Sequence, residues 1–431
     1  MGTTHVVVLG AGFGGLSAVR QLARDRNVRV TLIDRNNYHL FQPLLYQVAI
    51  AGLEAPQIAW PVRAILRRYP NVRFLMGNVE SVDTMDRCVW VDGKAVSYDY
   101  LVVAVGSASH DYGVPGVREY AIPLKSLQHA ICIRDRVFSA AEEAVRTVSP
   151  SRRRALLTFV VVGAGPTGVE LAGALAELKR HVLQRDYPEI PAEEISIVLV
   201  EAGERPLPLL SPAASEYTTK TLERMGVQVL TSRVVSEVTP FGVTLQDGSF
   251  IHAHTVIWTA GVKGVALPGL PSGRGGRIHT TPTLSVPEAP EVYVVGDLNY
   301  MEQGGKPLPQ VAPLAKQQGA CAGRNILRRI HGKPEVPFRY WDKGTLVTIG
   351  RNHAVGEVRG LRFTGILAWL TWLAVHIYYL TGMRNRLMVL GNWIYSYLTY
   401  DFAVRVIHSP HQFPYPEESV ESAEEVGVAQ P

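Results

Sequence analysis

Cysteine and charge are both scarce in this sequence, and each scarcity excludes a class of protein. Among 431 residues there are three cysteines, Cys88, Cys132 and Cys321, with no CxxC or CxxxxC pair and no cysteine–histidine spacing of a metal site. We therefore predict neither a disulfide framework nor a bound metal, and the cysteine usage suits a reducing cytoplasm. Charged residues make up 19% of the chain and hydrophobic residues 47%, which argues against disorder over most of its length.

We also expect no signal peptide, and the sequence shows no short internal repeat. The first predicted strand begins at about Val6, which leaves no room for a leader. The net charge of +5 is unevenly spread: residues 324–408 hold 12 Lys and Arg against 4 acids, and residues 409–431 hold 5 acids and no base. The basic excess therefore lies in residues 324–408, which are also the most apolar part of the chain. We predict no nucleic-acid partner. The acidic end from Ser409 is predicted to be disordered.

What the chain does contain is one supersecondary pattern, given twice. Strand, glycine turn, helix and strand follow each other in VVVLGAGFGGLSA and VRVTLID, and again in FVVVGAGPTGVELAG and ISIVLVE. Further apolar strands are predicted in YDYLVVAVGS, TVIWTAGV and EVYVVGD. Near-continuous apolar strands that alternate with amphipathic helices predict an α/β fold with parallel sheets, organised as two Rossmann-like dinucleotide-binding domains.

The first glycine turn has the full context of a dinucleotide site. Gly10 allows the tight turn, Gly12 lets a pyrophosphate reach the backbone, and Gly15 lets helix and strand pack closely. The N-terminus of the following helix offers free N–H groups to phosphates. The next strand ends at Asp34, 19 residues past Gly15, where a carboxylate accepts the hydroxyls of an adenosine ribose.

The second glycine turn has the same context. It is formed by Gly163, Gly165 and Gly168, and its strand ends at Glu201 after the inserted loop YPEIPAEE. A carboxylate here repels the 2′-phosphate of NADPH, so NADH is favoured, although Arg205 keeps NADPH open as an alternative.

Two such turns predict two bound dinucleotides: a redox cofactor in the first domain that takes hydride from a nicotinamide in the second. The strand EVYVVGD supports a flavin in the first site. Asp297 follows this strand directly and is placed to bind the ribityl or phosphate-linked end of FAD. A helix N-cap is the alternative role for Asp297.

With these motifs in hand, the chain resembles the two-dinucleotide-domain flavoproteins, and most closely the type II NADH:quinone oxidoreductases, over residues 5–408. The resemblance is carried by NNYHLFQPLLYQVA (36–49), GAGPTGVELAG (163–173), VYVVGDLN (292–299), APLAKQQG (312–319) and FRYWDKGTLVTIGRNHAV (338–355). It implies a monotopic, membrane-bound and often dimeric enzyme. Such an enzyme passes electrons from NADH to a quinone that binds at the opposite face of the flavin.

The resemblance also assigns binding residues. It carries FAD binding over to the first glycine turn with Asp34, Val79, Ala104 and Asp297, and NADH binding to the second turn with Glu201. The complete predicted cofactor-binding set is Gly10, Gly12, Phe13, Gly14, Gly15, Asp34, Arg35, Val79, Ala104, Gly106, Asp297, Gly163, Gly165, Gly168, Glu201 and Gly261.

Two residues are predicted to be catalytic, again by resemblance. Glu170 lies where the family has a glutamate near the flavin and the nicotinamide; it relays protons or orients the nicotinamide, or it only complements the helix dipole. Gln317 falls where the family has a glutamine beside the flavin at the quinone pocket, or it is an ordinary polar helix residue. Some members carry a second glutamine where this chain has Pro313, so we expect Gln317 and apolar contacts to hold the quinone.

The run FTGILAWLTWLAVHIYYLTGM (363–383) has 21 residues without a formal charge, which is long enough to span a bilayer. Threonines and His376 interrupt it, arginines flank both ends without clear sidedness, and a second aromatic stretch follows at 387–407. We therefore expect two helices that lie on the bilayer surface rather than a spanning hairpin, with a dimer interface as the alternative. His376 is expected to be structural rather than a proton donor to quinone.

The predicted function is two-electron transfer from NADH through FAD to a membrane quinone at the cytoplasmic face of the membrane. No transmembrane relay of ionisable residues is visible, so we predict no proton pumping. Sulfide:quinone oxidoreductase is an alternative of the same fold. It needs two redox cysteines, which Cys132 and Cys321 supply if they meet in space, but it has no use for an intact second glycine turn. A redox-sensing flavoprotein without turnover is a further alternative.

The predicted domain boundaries follow from these motifs. An FAD-binding domain covers 1–112 and 261–335, and an NADH-binding domain is inserted at 113–260. A C-terminal region for membrane anchoring and the quinone site covers 336–408, and the disordered acidic tail covers 409–431.

Overall fold

The computed structural model describes residues 3–402 and 404–413. Backbone contacts divide the chain into two compact units. The first unit comprises Met1–Phe41, Ile58–His110 and Gly261–Gly344, and the second comprises Gln42–Gln57, Asp111–Ala260 and Thr345–Pro431.

A six-stranded sheet forms the centre of the first unit. Alternate residues of its strand Thr4–Leu9 enter different cores, because Val6 and Val8 pack on one face while Val7 and Leu9 pack on the other. Neighbouring strands pair in parallel, except that Ser285–Val286 pairs antiparallel with Ala289–Val294. In spatial order the strands are Ser285–Val286, Ala289–Val294, Tyr100–Val103, Thr4–Leu9, Val28–Asp34 and Val72–Met76.

Helices cover one face of this sheet and a smaller sheet covers the other. The helices Phe13–Leu22 and Ala312–Ile330 approach closely, since a Cβ on Gly319 would lie 2.0 Å from the carbonyl oxygen of Gly14. The antiparallel strands Val79–Asp83, Cys88–Val91 and Lys94–Ser97 supply the opposite core. The remaining elements are the strand pairs Tyr38–Leu40 with Ala59–Pro61, Ser107–Ser109 with Val262–Gly264, Ile278–His279 with Asn299–Tyr300, and Glu302–Gln303 with Lys306–Pro307, the helix Val62–Leu66, and the 3-10 helices Arg274–Gly276 and Gly296–Leu298.

A five-stranded, wholly parallel sheet forms the centre of the second unit. Its order is Ala121–Pro123, Thr255–Trp258, Thr158–Val162, Ser196–Val200 and Val227–Leu230. The antiparallel strands Val235–Thr239, Gly242–Leu245 and Phe250–His252 share its core. The accompanying helices are Gln42–Leu44, Leu45–Ala49, Ala55–Ile58, Val117–Tyr120, Leu127–Arg146, Pro150–Leu156, Pro166–Leu178, a π-helical turn at Lys179–Leu183, Gln184–Asp186, Ala192–Glu194 and Pro212–Arg224. The predicted α/β fold with two Rossmann-like dinucleotide-binding domains is confirmed.

The C-terminal part of the second unit adds a small sheet and two helices. The strands Thr345–Gly350, His353–Val358 and Leu361–Thr364 pair antiparallel and lead into the helices Gly365–Tyr379 and Met383–Thr399. The uncharged run 363–383 is therefore shared between the end of a strand, a helix of 15 residues and a turn. Among the described residues, no helix combines the length and apolar character needed to cross a membrane.

Residues 42–57 group with the second unit, which the predicted 1–112 segment did not anticipate. Side-chain hydrogen bonds to the last helix hold them there: Trp393 Nε1 donates to Gln47 Oε1 at 2.8 Å, and Asn392 Nδ2 donates to Gln57 Oε1 at 3.1 Å. These bonds join positions more than 300 residues apart in the chain, so sequence periodicity carries no sign of them.

The prediction of a disordered tail from Ser409 is wrong for residues 409–413. The backbone N–H of Ser409 donates to Asp135 Oδ2 at 3.0 Å, that of His411 donates to Ser139 Oγ at 3.1 Å, and Phe413 is buried. These contacts compensate for the low apolar content of the segment. The rest of the predicted disordered tail, 414–431, lies outside the described residues.

Candidate functional site

The first glycine turn joins the strand Thr4–Leu9 to the helix Phe13–Leu22. Gly10 has a φ of 95°, and a Cβ on Gly15 would lie 1.8 Å from the carbonyl oxygen of Gly10, so both positions require glycine. Gly12 differs, because a Cβ there would meet no atom of the described residues within 4 Å. The turn is therefore open at the position where the sequence predicts a pyrophosphate.

Asp34, at the end of the next strand, is bonded directly to this turn. Its Oδ2 accepts a hydrogen bond from the backbone N–H of Ala11 at 2.7 Å, and its Oδ1 accepts one from the N–H of Asn36 at 2.7 Å. Burial raises the pKa of Asp34, while these two donors and the charge of Arg35 oppose the rise. The Asn36 side chain is a further donor to this carboxylate, whose two oxygens together offer about four acceptor positions and so leave room for a ribose hydroxyl.

The rings of Phe13 and His39 pack beside the first glycine turn. The ring of Phe13 meets His39 edge-on at a centroid distance of 5.0 Å. His39 is buried and its Nδ1 donates to the carbonyl oxygen of Ala11 at 2.9 Å. Burial lowers the pKa of His39 to about 4, so the ring is neutral at pH 7. The sequence analysis missed His39, for which the only signal was its place in the NNYHLFQPLLYQVA motif.

Asp297 lies inside the 3-10 helix Gly296–Leu298, whose N-cap position is Val295. The alternative role of a helix N-cap therefore does not apply. Asp297 Oδ2 accepts a hydrogen bond from the hydroxyl of Ser107 at 2.5 Å. Gly106, just before this serine, has a φ of 76°, and a Cβ there would meet no atom of the described residues within 4 Å. The acid thus sits beside a second open glycine position.

Further predicted cofactor-binding positions belong to the same unit. The N–H of Ala104 donates to the carbonyl oxygen of Leu9 at 2.8 Å, which places Ala104 beside the first turn. Val79 begins the strand Val79–Asp83. Gly261 has a φ of 64°, and its carbonyl oxygen accepts from the N–H of His110 at 3.2 Å.

The amide of Gln317 is bonded at both ends to the backbone of Trp341. Its Nε2 donates to the Trp341 carbonyl oxygen, and its Oε1 accepts from the Trp341 N–H, both at 3.0 Å. Lys316, the preceding residue, is partly buried, and burial together with the charges of Arg20 and Lys343 lowers its pKa to about 8. Gln317 therefore fixes the backbone at Trp341, next to a concentration of positive charge.

Gln318 is a positioning residue that the sequence analysis missed. It is fully buried, its Oε1 accepts from the N–H of Gly296 at 2.8 Å, and its Nε2 donates to Asn299 Oδ1 at 2.9 Å. These bonds hold the 3-10 helix that carries Asp297. A second glutamine directly after Gln317 in the helix Ala312–Ile330 was the available signal.

The second glycine turn joins the strand Thr158–Val162 to the helix Pro166–Leu178. Gly163 has a φ of 99°, and a Cβ on Gly168 would lie 1.8 Å from the Gly163 carbonyl oxygen. A Cβ on Gly165 would again meet no atom of the described residues within 4 Å. The two turns therefore have the same geometry. A side chain would clash at the first and third glycine of each turn, whereas the middle glycine has space beside it.

Glu201 repeats the arrangement of the first acid. Its Oε2 accepts from the backbone N–H of Ala164 at 2.6 Å, and its Oε1 accepts from the N–H of Gly203 at 2.7 Å. The guanidinium of Arg205 has other partners: its Nη1 donates to the hydroxyl of Ser215 on the helix Pro212–Arg224, and its Nη2 donates to the carbonyl oxygen of Pro208, both at 3.2 Å. The acid, rather than the arginine, is thus the charge bonded to the turn.

Both glycine-turn helices begin without a side-chain cap. In contrast, the hydroxyls of Ser126 and Ser211 cap the helices Leu127–Arg146 and Pro212–Arg224 by accepting first-turn N–H groups. The uncapped helices leave their first N–H groups to another acceptor. An open middle glycine with an uncapped helix end fits a dinucleotide pyrophosphate.

Glu170 lies on the helix Pro166–Leu178 and is bonded to a tryptophan far along the chain. Trp372 Nε1 donates to Glu170 Oε1 at 3.3 Å, and the backbone of Thr348 donates a second hydrogen bond. Burial outweighs both donors and raises the pKa of Glu170 to about 8. The group is therefore largely protonated at pH 7, which is not the state of an acid that complements a helix dipole.

His376 packs against the same tryptophan. Its ring stacks on Trp372 at a centroid distance of 3.9 Å, and its Nδ1 donates to the Trp372 carbonyl oxygen at 2.7 Å. Burial lowers the pKa of His376 to about 4. A neutral histidine in this position orients the indole.

Known proteins match this chain over both units. The model of the pyridine nucleotide-disulphide oxidoreductase family matches residues 4–319, and that of the NDH2 C-terminal domain matches residues 342–400. The chain is 36% identical over 413 residues to the type II NADH:quinone oxidoreductase Ndh of Mycobacterium tuberculosis, covering 92% of this chain and 88% of that protein. The chain belongs to the type II NADH:quinone oxidoreductases.

Two solved structures share the fold of this type II chain. NDH2 from Plasmodium falciparum in complex with NADH has a TM-score of 0.86 at 20% identity, covering 94% of this chain and 100% of that one. The sulfide:quinone oxidoreductase from Aquifex aeolicus has a TM-score of 0.71 at 19% identity, covering 89% and 92%. At these identities the likeness shows the fold alone. The assignment to the type II family, as the resemblance predicted, is confirmed by the relative from Mycobacterium tuberculosis and the family models.

The sulfide alternative is not favoured for this type II chain. The relative of 36% identity is named for NADH and quinone. All three cysteines are free thiols, and Cys321 is buried whereas Cys132 is exposed. The second glycine turn is also complete in its geometry, which the alternative does not explain.

The C-terminal helices of this type II chain turn most of their apolar side chains outward. The helix Gly365–Tyr379 buries only Ala368 and Trp372, and the helix Met383–Thr399 buries only Asn385 and Val389. The exposed apolar side chains on the two helices are Ile366, Leu367, Leu370, Tyr378, Met383, Leu387, Met388, Leu390, Ile394, Tyr395, Tyr397 and Leu398.

Proposed function

We propose that this protein passes two electrons from NADH through FAD to a membrane quinone and moves no protons across the membrane. The observation that carries the proposal is the pair of glycine turns in one type II chain. In each turn the middle glycine, Gly12 or Gly165, has free space beside it. In each turn an acid also accepts a hydrogen bond from a backbone N–H: Asp34 from Ala11 at 2.7 Å, and Glu201 from Ala164 at 2.6 Å.

The first turn is the proposed FAD site. When bound, the flavin supplies a carrier that accepts two electrons as hydride and passes them on to the quinone. The pyrophosphate is proposed to bind beside Gly12 and at the uncapped N-terminus of the helix Phe13–Leu22. Asp34 accepts hydrogen bonds from the ribose hydroxyls, and Asp297 binds the ribityl or phosphate-linked end of FAD. The further proposed contacts are Phe13, Gly14, Arg35, Val79, Ala104 and Gly106, and Gly261 is a proposed cofactor contact that we do not assign to one of the two dinucleotides.

The second turn is the proposed NADH site. The pyrophosphate of NADH binds beside Gly165 and at the N-terminus of the helix Pro166–Leu178. Glu201 accepts hydrogen bonds from the hydroxyls of the adenosine ribose. A 2′-phosphate would be repelled by Glu201, and Arg205 is engaged with Ser215, so NADH is used in preference to NADPH.

Glu170 and Gln317 are the proposed catalytic residues. Glu170 holds a proton at neutral pH because burial raises its pKa to about 8, so it can supply a proton or donate a hydrogen bond to the nicotinamide. Gln317 is proposed to line the quinone site. Since its amide is already bonded to Trp341, it also fixes the backbone there.

The C-terminal helices are the proposed membrane-binding surface. Their outward apolar side chains suit the boundary between headgroups and acyl chains, and nearby arginines add attraction to anionic lipid. A quinone then enters from the lipid. We place the protein at the cytoplasmic face of the membrane, as a homodimer.

Steady-state turnover tests this proposal. The detergent-purified protein should retain FAD and oxidise NADH with a soluble quinone analogue in a one-to-one ratio without oxygen, with NADPH much slower. In inverted membrane vesicles, NADH oxidation through this enzyme alone should generate no proton gradient. A protein that binds NADH and FAD without turnover would instead be a redox sensor, and a proton gradient would contradict the non-pumping mechanism.

A further inference from the structure

Trp372 and Ala368 are the two buried residues of their helix. On the helix Gly365–Tyr379, Ile366 and Leu367 are 57% and 62% exposed, yet the much larger side chain of Trp372 is 1% exposed. Burial of an indole requires a partner for its N–H group, because an unpaired buried donor is costly. The partner is the carboxyl group of Glu170, 3.3 Å away and 202 positions earlier in the chain.

The indole is held in one orientation by rings on both sides. His376 stacks on it at 3.9 Å with an interplanar angle of 24°, and Trp393 lies 5.7 Å away. Tyr46 contributes a third ring at 6.4 Å. His376 is itself fixed by its bond to the Trp372 carbonyl oxygen, so the direction of the indole N–H is set by packing rather than by Glu170.

The ionisable groups around Glu170 come from three elements. Tyr46, on the helix Leu45–Ala49, has a pKa raised by burial, and His376, on the helix of Trp372, has a pKa lowered by burial to about 4, so both are neutral at pH 7. Glu177, on the same helix as Glu170, accepts instead from the backbone N–H of Arg351.

The strand Thr345–Gly350 contributes no ionisable side chain to this site, only the backbone of Thr348. The helix Pro212–Arg224, which also touches the helix of Glu170, adds no charge that acts on this carboxyl group. The indole N–H is consequently the one side-chain donor that bears on Glu170 among the described residues.

We propose that Trp372 is a positioning residue that aims the Glu170 carboxyl group and sets the strength with which it holds its proton. The C-terminal helix thereby contributes to the chemistry of the helix Pro166–Leu178, beyond any role in membrane binding. This inference rests on the catalytic role proposed for Glu170, but its structural part is measurable without turnover.

The test compares Trp372→Phe with Trp369→Phe, a matched change one turn earlier on the same helix, where the ring lies against Tyr397 and not Glu170. Infrared spectra over a pH series follow the carboxyl C=O band that is absent in Glu170→Gln. An N–H donor favours the carboxylate, so its removal should raise the midpoint of this band by about half a pH unit. The midpoint in Trp369→Phe should equal that of the wild type.

Enzyme turnover provides the second readout. In Trp372→Phe we expect kcat for NADH:quinone turnover to fall about fivefold and its alkaline limb to move upward with the infrared midpoint. A purely structural role would lower the yield of folded enzyme without moving either midpoint. If Trp372→Phe does not fold, benzothienylalanine at position 372, which keeps the ring shape and replaces N–H by sulfur, makes the same comparison.

The outcomes separate this inference from the proposed function. An infrared midpoint unchanged in both Trp372 variants overturns the inference, whatever the turnover. A wild-type protein without NADH:quinone turnover overturns the proposed function, and the infrared shift then still reports whether Trp372 governs Glu170.

Discussion

The Oε2 atom of Glu201 accepts a hydrogen bond from the backbone N–H of Ala164 at 2.6 Å. The same bond joins Asp34 to Ala11 in the first unit, at 2.7 Å. In both units the acid at the end of the second strand is bonded to the residue that follows the first glycine. The acid that we propose to select the ribose is therefore also bonded to the turn that we propose to receive the phosphates.

Replacing Glu201 should weaken NADH use selectively. In Glu201→Gln one acceptor oxygen and the negative charge are lost, so we expect the KM for NADH to rise about tenfold while the discrimination against NADPH falls. Steady-state kinetics with both nucleotides measure the change, and Glu204→Gln, an exposed neighbour, is the control. Unchanged preference for NADH in Glu201→Gln would contradict the assignment of this acid.

The glycines of the first turn should separate folding from flavin binding. A Cβ at Gly12 would meet no atom of the described residues within 4 Å, so Gly12→Ala should leave the unfolding free energy of the flavin-free protein within about 0.5 kcal/mol of the wild type. The same variant should be purified with a lower flavin content. A Cβ at Gly15 overlaps the Gly10 carbonyl oxygen, so Gly15→Ala should cost about 2 kcal/mol or more. Full flavin retention by Gly12→Ala would argue against a pyrophosphate at this position.

The raised pKa of Glu170 predicts an alkaline limit to turnover. The carboxyl group is protonated below about pH 8, so kcat should fall as the pH rises through that value. Glu170→Gln cannot ionise and should show a lower kcat without this limb, whereas Glu216→Gln, a fully exposed control, should match the wild type. An identical alkaline limb in Glu170→Gln would assign it to another group.

The same pKa has a consequence for stability. Burial raises the pKa of Glu170 from 4.5 to about 8 in the folded state, so the unfolded state ionises first as the pH rises. The wild type should therefore lose stability relative to Glu170→Gln between these two values, and the difference should level off above about pH 8. Denaturant unfolding at several pH values measures it, and a constant difference across this range would contradict a Glu170 that stays protonated in the folded state.

The exposed leucines of the C-terminal helices should govern membrane binding. Leu367 and Leu398 are 62% and 74% exposed, and the double change Leu367→Glu with Leu398→Glu should reduce binding to phosphatidylglycerol–phosphatidylethanolamine vesicles about tenfold or more. Flavin content should not change. Leu209→Glu, at a still more exposed position on a loop (89%), is the control. If the double variant still binds vesicles, these two helices are not the membrane-binding surface, and their exposed apolar side chains would instead favour a dimer interface.

The pattern of the glycine turns allowed much of the fold to be predicted from the sequence. Glycine spacing, apolar strands and a terminal acid are local features, and the geometry at Gly10, Asp34, Gly163 and Glu201 agrees with what those features require. Local features fail where a side chain is bonded to a distant part of the chain. The bond from Trp372 to Glu170 and that from Gln317 to Trp341 leave no periodic signal.

The misjudged tail shows the same limit. The segment 409–413 is polar and contains proline, which is typical of disorder, yet Phe413 is buried and the backbone N–H of Ser409 is bonded to Asp135. Composition measures the average tendency of a segment, whereas one buried ring and a few specific hydrogen bonds can hold a short stretch in place.

The most direct test of the central claim is the flavin absorbance of the purified protein without oxygen. The account predicts rapid bleaching on addition of NADH, slow or no bleaching with NADPH, no bleaching with sulfide, and recovery of the oxidised spectrum on addition of a quinone analogue. Bleaching by sulfide and not by NADH would contradict the assignment of the second glycine turn, and would make Cys132 and Cys321 the residues to replace next.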